Sequence, residues 1–170
     1  AATVNFFSHT KCRIFFPDLY TAPFISGTQP DLEHSDLVNL FIGVMGLKPG
    51  LKLDYCLFWD FFSYLKRSYI LAMIDALEPH LCETTRGYCL GSRHTKELPN
   101  FHYGIADNRV VTQTLRDHSP LKMYSHPQSE MSSILKPFVI TKSRLMLEGR
   151  IEYFLVDRSV VKESPNAMFL

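Results

Sequence analysis

The stretch LKLDYCLFWDFFSYLKRSYILAMIDALEP, residues 51–79, decides the fold that the sequence predicts. Its apolar residues outnumber the polar ones so heavily that Asp54, Asp60 and Asp75 project at scattered helical angles rather than along one face. A helix of this kind is buried on most of its sides. The pattern predicts one long hydrophobic helix, or a pair of helices broken near Ser63, and Pro79 ends it.

Such a helix has a consequence for assembly. At about 24 residues it would be about 36 Å long, which exceeds the radius of a domain of this size. Part of it is therefore expected to meet a partner subunit. The residues predicted to form that interface are Phe58, Trp59, Phe62 and Tyr69.

Segments on either side of this stretch predict the remaining elements. TVNFFSHTKCRIFF, residues 3–16, is β-branched and aromatic and predicts one or two strands. Asp31 is a candidate N-cap for a helix over 32–47, where apolar residues recur at helical spacing. FVITKSRLML and RIEYFLVD, residues 138–147 and 150–157, predict a β-hairpin.

Together these elements predict an α+β fold. A mostly antiparallel sheet from the N-terminal and C-terminal strands would pack on the long hydrophobic helix or helix pair within residues 31–78. The segment FHYGIADNRVVTQTL, residues 101–115, predicts a further strand, a turn and another strand. The length of 170 residues predicts a single globular domain over 1–170, and the start without Met leaves open that it is an excised or processed fragment.

Composition restricts the classes of function. The net charge of +1 excludes a strong global field for nucleic acid or an anionic membrane. No run of apolar residues is long enough for a membrane span, and no secretory signal is recognisable. Four cysteines in a chain of this size favour reduced thiols, which predicts an intracellular, by default cytoplasmic, protein.

Two cysteines and two histidines form the pattern H-x-C-x6-C-x4-H at His80, Cys82, Cys89 and His94. Thiolate and imidazole are zinc ligands, so the pattern is a candidate zinc site, although its spacing differs from the usual Cys-x2-4-Cys knuckles. The alternative is that the cysteines are small buried residues and the histidines belong to a loop. A Cys82–Cys89 disulfide is a third possibility.

Cys82 or Cys89 is also a candidate nucleophile, with a nearby histidine as its base. Thiol chemistry requires the thiolate, and Arg86, Arg93 and Lys96 would lower a thiol pKa. The sequence therefore leaves open a cysteine-dependent enzyme.

Basic residues lie among aromatic ones in and next to the C-terminal hairpin. The candidate nucleic-acid-binding residues are Lys136, Lys142, Arg144, Arg150 and Tyr153. Single-strand binders combine phosphate attraction with base stacking in this way, although an ordinary solvated sheet face has a similar composition.

The function predicted from these features is a non-enzymatic binding or regulatory domain. It would act through protein–protein contacts, as a homo-oligomer or with a protein partner, because the segment around Trp59 is so hydrophobic. The absence of HExxH, GxSxG and CxxC motifs points the same way. A nucleic-acid-binding domain and a cysteine-dependent enzyme are the alternatives, and zinc is the candidate cofactor.

Overall fold

The computed structural model describes residues 2–93, 101–115 and 121–162. The helices are α1 (Ala2–Phe7), α2 (Pro23–Ser26), α3 (His34–Met45), α4 (Arg67–Leu77), α5 (Gln128–Ile134) and α6 (Arg158–Lys162). The strands are β1 (Tyr55–Trp59), β2 (Arg86–Ser92), β3 (Phe101–Ile105), β4 (Val111–Leu115), β5 (Phe138–Leu145) and β6 (Arg150–Asp157). Short 3-10 turns lie at Leu19–Thr21, Phe61–Tyr64, Glu78–His80 and Leu147–Gly149.

The main sheet is mixed. Its four strands lie in the order β1-β2-β6-β5, with β1 and β2 parallel and β6 antiparallel to both of its neighbours. Parallel neighbours need a crossover connection, and α4 supplies the one between β1 and β2. The predicted α+β fold, with a mostly antiparallel sheet from both termini, is therefore wrong: the described sheet takes two of its strands from the middle of the chain.

The prediction of a long hydrophobic helix over 51–78 is also wrong. This stretch forms three consecutive elements: strand β1, the 3-10 turn Phe61–Tyr64, and helix α4. Along β1 the side chains alternate, with Cys56 and Phe58 buried and Tyr55 and Leu57 exposed. Aromatic residues with this period of two favour a strand, whereas the composition of the whole stretch hides the period.

Helix α4 owes its position to an apolar face. Tyr69, Ile70, Met73, Ile74 and Leu77 recur at helical spacing and are all buried. The helix packs beside α3, where Phe41 contacts Tyr69 edge to face with ring centroids 6.4 Å apart. The two helices and the inner face of the sheet enclose one core cluster.

The predicted N-terminal strands do not form. Residues 3–7 belong to α1, and the rest of the segment, to residue 16, has no strand. The helix predicted over 32–47 is confirmed as α3, although Asp31 pairs with Lys66 at 2.9 Å instead of capping it. α3 ends at Gly46, whose φ of 60° is the left-handed conformation that glycine adopts readily.

The predicted hairpins are confirmed. β5 and β6 pair antiparallel from Phe138–Asp157 to Leu145–Ile151, and β3 pairs with β4 in a separate two-stranded sheet. Among the described residues, no helix is long and apolar enough to cross a membrane.

Candidate functional site at the carboxyl edge of the sheet

Parallel strands bring their carboxyl ends to one edge of the sheet. β1 ends at Trp59 and β2 ends at Ser92, which pairs with Arg150 at the start of the antiparallel strand β6. We call this end of the sheet the carboxyl edge; it comprises Trp59, Asp60, Ser92, Arg93 and Arg150. In open α/β sheets, ligands bind outside the carboxyl ends of the strands.

Trp59 has a strained backbone at this edge. Its φ is 51°, and no other non-glycine residue in the described ranges has a positive φ. Its indole stacks on the ring of Tyr103, with centroids 5.2 Å apart and an interplanar angle of 12°, and meets the edge of Tyr88. Such a conformation costs on the order of 1–3 kcal/mol and is concentrated at functional sites, which makes this turn a candidate site.

Asp60 follows Trp59 and is buried. Its Oδ1 accepts a hydrogen bond of 2.7 Å from the Tyr20 hydroxyl, and its Oδ2 accepts bonds of 3.1 Å from Tyr64 and Tyr103. Burial raises the pKa of this carboxyl group, while the tyrosine hydrogen bonds and the charge of Arg150 act in the opposite direction. A carboxyl group with a perturbed pKa at a strand end is a further mark of a functional site.

Arg150 lies beside this carboxylate and is only 7% exposed. Its Nη1 donates to the Tyr103 hydroxyl at 2.5 Å, and its guanidinium lies over the Phe101 ring at 5.1 Å from the centroid. Burial raises the pKa of the Tyr103 hydroxyl, and the charge of Asp60 raises it further. The tyrosine therefore stays protonated, accepting from the arginine and donating to Asp60.

An open cavity of about 450 Å³ reaches the same edge between the ends of β2, β5 and β6. It is lined by Arg93, Ser125, His126, Pro127, Gln128, Ser143, Leu145 and Ile151. This volume is in the range of small-molecule sites. The polar side chains that line it are available to orient a ligand.

His126 is the histidine that lines this cavity. Its Nε2 lies 2.9 Å from the carbonyl oxygen of Leu65, which can only accept, so Nε2 carries the proton. Nδ1 is then the ring nitrogen that can accept a proton, and it lies 3.7 Å from Oε2 of Glu130. The imidazole is thus held in an orientation in which Nδ1 is able to accept a proton.

The predicted zinc ligands do not come together. Nδ1 of His80 is 2.8 Å from the carbonyl oxygen of Leu51, and Cys89 is fully buried in the core. Cys82 contacts the hydroxyls of Thr84 and Thr85, and His94 lies outside the described residues. The part of the chain that the structure describes contains no group of histidine, cysteine and acidic side chains able to hold a metal.

Neither cysteine has the surroundings of a catalytic nucleophile. Burial raises the pKa of the Cys89 thiol, which keeps it protonated. Hydrogen bonds from Thr84 and Thr85 lower the pKa of Cys82, but its side-chain contacts among the described residues are these hydroxyls rather than a histidine. All four cysteines are free, which excludes the Cys82–Cys89 disulfide.

The predicted nucleic-acid surface is not a continuous face. Arg144 donates to Glu152 at 2.6 Å, and Arg150 and Tyr153 are buried. Lys136 and Lys142 are exposed, and Lys142 lies over the Phe154 ring. The hairpin therefore presents a neutralised and partly buried set of cations rather than a basic stripe.

Three of the four predicted interface residues lie inside the protein's own fold, and Trp59 is partly exposed. Phe58, Phe62 and Tyr69 are 7%, 1% and 1% exposed, and Trp59 packs against Tyr103. The hydrophobicity of residues 51–78 is thus satisfied largely within the fold. Oligomerisation stays a prediction that these contacts do not address.

Sequence reasoning missed Asp60, Tyr103 and His126. The signal for Asp60 was present, since one acidic residue interrupts the aromatic run LFWDFF. A charged residue inside such a run is buried only together with polar partners, so a carboxylate at this position needs hydrogen-bond donors around it. Those donors come from distant segments and could not be read from the sequence.

Comparisons with known proteins give similarity only to solved structures. No family model and no curated protein matches the sequence. The glycopeptide N-methyltransferase MtfA in complex with (S)-adenosyl-L-methionine aligns with a TM-score of 0.41 and 8% identity, over 65% of this chain and 60% of that one. A S-adenosylmethionine-dependent methyltransferase from Clostridium acetobutylicum aligns with a TM-score of 0.42 and 16% identity, over 75% and 65%. The alignments thus span about three fifths of these longer chains.

These findings correct the predicted function. The prediction of a non-enzymatic binding or regulatory domain is wrong, because the hydrophobic segment on which it was based is largely enclosed in the fold. The nucleic-acid-binding domain and the cysteine-dependent enzyme fail on the surroundings of their residues. Zinc as cofactor is not supported, because the described residues contain no group of side chains able to hold a metal.

Proposed function

We propose that this chain is part of an enzyme that acts on a small molecule at the carboxyl edge of its sheet, with S-adenosylmethionine as the cosubstrate. The observation that carries the proposal is the strained turn at Trp59, which places an aromatic ring and the buried Asp60 carboxylate together at the end of a parallel strand. Strain, a perturbed carboxyl group and an adjoining cavity with a histidine are a combination expected of active sites.

The chemistry of this edge fits the proposed cosubstrate. S-adenosylmethionine carries a cationic sulfonium, an adenine ring and ribose hydroxyls. Aromatic faces attract such a cation, and the partly exposed Trp59 and Tyr103 supply two of them. The compound is also the ligand of one of the MtfA complexes that resemble this chain.

The roles of the chain's own residues follow from their positions. Trp59 and Tyr103 would bind and orient the cosubstrate, which supplies an electrophilic methyl group when bound. Asp60 is a positioning residue, because it fixes three tyrosine hydroxyls, including that of Tyr103. His126 would accept the proton that the substrate loses, at Nδ1.

Trp59 provides a direct test, because it is the only tryptophan of the chain. S-adenosylmethionine is titrated into the protein while indole fluorescence and the heat of binding are recorded. We expect saturable binding with a change in fluorescence. Trp59→Leu should weaken the calorimetric affinity about tenfold, the loss of one aromatic contact of about 1.4 kcal/mol.

The matched control is Tyr55→Leu, which removes a 74% exposed ring from the opposite end of the same strand and should leave the affinity unchanged. Absence of both heat and fluorescence change in the wild-type protein would refute the proposal. Equal affinity losses in the two variants would refute the placement of the ligand at Trp59.

Free cysteines also bear on localisation. Cys12, Cys56, Cys82 and Cys89 are all free, and Cys12 is exposed. Unpaired exposed thiols persist in reducing compartments, which supports the proposal of an intracellular, cytoplasmic protein.

A further inference from the structure

Arg150 has two unused hydrogen-bond donors. Its Nε and Nη2 are shielded from solvent and have no hydrogen-bond partner among the residues that the structure describes. Leaving a charged donor buried without a partner costs more than the loss of an ordinary hydrogen bond. The site is therefore short of one acceptor group.

Neighbouring side chains hold the guanidinium in place without filling these positions. Nη1 is occupied by the Tyr103 hydroxyl, and the Phe101 ring lies against the planar group. Asp60 is the nearby carboxylate, but its oxygens accept from Tyr20, Tyr64 and Tyr103. The guanidinium is thus fixed by contacts that leave one of its edges unpaired.

The unpaired edge has a specific chemical complement. Nε–H and Nη2–H point in parallel from the same side of a guanidinium, and their spacing matches the two oxygens of a carboxylate. A neutral carbonyl would occupy one of the donors, whereas a carboxylate occupies both and also neutralises the charge. A bidentate carboxylate is therefore the ligand that this geometry fits best.

The position of Arg150 relates this ligand to the proposed site. Arg150 begins β6 at the carboxyl edge and pairs with Ser92 at the end of β2. Its neighbour Ile151 lines the cavity, and since successive strand residues point to opposite faces, Arg150 points to the other face of the sheet. On the other side, β3 covers the guanidinium through Phe101 and Tyr103. Tyr103 also stacks on Trp59, so the guanidinium adjoins the aromatic residues of the proposed site.

We propose that Arg150 binds the carboxylate of a small carboxylic acid, which is the substrate of the enzyme proposed above. The assignment of this acid as the substrate rests on the proposed function, whereas the binding of a carboxylate at Arg150 can be tested by itself. The methionine part of S-adenosylmethionine also carries a carboxylate, so the experiment needs an arm for each source.

The first arm compares benzoate with benzamide, which has the same shape without the charge. Binding to the wild-type protein is measured by calorimetry, and we expect benzoate to bind at least about tenfold more tightly, the value of one bidentate pair. Arg150→Lys keeps the charge but not the paired donors, and Arg150→Gln removes both. Both variants should lose the preference for benzoate.

Arg109→Gln is the matched control, because it removes an exposed arginine from the β3–β4 turn and should keep the preference. Tyr103→Phe deletes only the hydroxyl that holds Nη1 and should weaken benzoate binding several-fold, so it tests the inference even if the Arg150 variants do not fold. No preference in the wild-type protein, or a preference unchanged in Arg150→Lys, would overturn the inference.

The second arm repeats these titrations with S-adenosylmethionine. If Arg150→Lys keeps its affinity for this compound but loses the preference for benzoate, Arg150 binds the substrate. A parallel loss for both compounds would instead assign Arg150 to the cosubstrate and overturn the substrate assignment. Wild-type protein that binds S-adenosylmethionine without any benzoate preference refutes this inference alone, whereas the reverse result refutes the proposed function alone.

Discussion

Gly91 lies where a side chain would collide with the core. A Cβ atom built on this residue of β2 would be 2.8 Å from Cε2 of Tyr153. Carbon atoms in contact are normally about 3.5–4.0 Å apart, so the ring would have to move by about 0.7 Å or more. Tyr153 is 1% exposed and packed on all sides, which leaves the ring little room to move. We expect Gly91→Ala to destabilise the protein by about 1–3 kcal/mol, the usual cost of overpacking.

The same substitution at Gly43 is the matched control. Gly43 lies in the exposed part of α3, and a Cβ atom built there meets nothing within 4 Å. Alanine in a helix interior is favoured over glycine by about 0.5–1 kcal/mol, so Gly43→Ala should stabilise the protein. Two identical chemical changes are thus expected to shift stability in opposite directions.

Urea unfolding measures both effects, provided that the m-value stays constant. A Tyr153→Leu background supplies the causal test, because the clashing ring atom is gone and Gly91→Ala should then cost less than about 1 kcal/mol. A Gly91→Ala variant as stable as the wild type would refute the reasoning. An equal cost in both backgrounds would show that the collision with Tyr153 is not the cause.

Two further predictions concern the titratable groups. Asp60→Asn should gain stability relative to the wild type as the pH rises above 3.8, the ordinary carboxyl value. Because the pKa of Asp60 is raised in the folded protein, the folded wild type still holds a proton that its unfolded chain has released. The stability of the wild type therefore falls as the pH rises through this window. Urea unfolding at successive pH values checks this, and a pH-independent difference contradicts it. Iodoacetamide should modify Cys82 before Cys56 and Cys89. Hydrogen bonds from threonine hydroxyls lower the pKa of Cys82, whereas burial raises the pKa of Cys56 to about 12 and also raises the pKa of Cys89. Mass spectrometry of the labelled peptides checks the order, and equal rates would contradict it.

Elements with local signals could be predicted from the sequence. In α3, Leu37, Phe41 and Met45 recur every four residues and are buried together. The strands β5 and β6 are close in the chain and join through a short turn, so their pairing needs no distant information. Helical spacing and hairpin turns are properties of a few consecutive residues, which is why they can be read directly.

The parallel pairing of β1 and β2 could not be predicted in this way. Tyr55 pairs with Arg86, and the chain between them forms the 3-10 turns and α4. β1 shows its alternation over only five residues before the apolar run continues into another element. A period of two over so short a span is lost in a stretch that is hydrophobic at nearly every position.

The candidate site depends on distances in the chain that are longer still. Asp60 receives hydroxyl groups from Tyr20, Tyr64 and Tyr103, and Tyr103 in turn accepts from Arg150. No spacing rule connects these positions, because they are brought together by the sheet and by the hairpin β3–β4. The sequence showed an isolated acidic residue, and only the fold shows which groups surround it.

Strand geometry explains why the cysteine and histidine pattern does not form a metal site, although its composition suggests one. β2 alternates, so Cys89 points into the core while Tyr88 on the other face reaches Glu152 at 2.7 Å. The same strand runs parallel to β1, and its carboxyl end therefore places Arg93 beside the cavity. The pattern looked like a set of ligands because its residues are close in sequence. The alternation of side chains along β2 places Cys89 in the core, where it contributes to packing. The direction of the same strand places Arg93 beside the cavity.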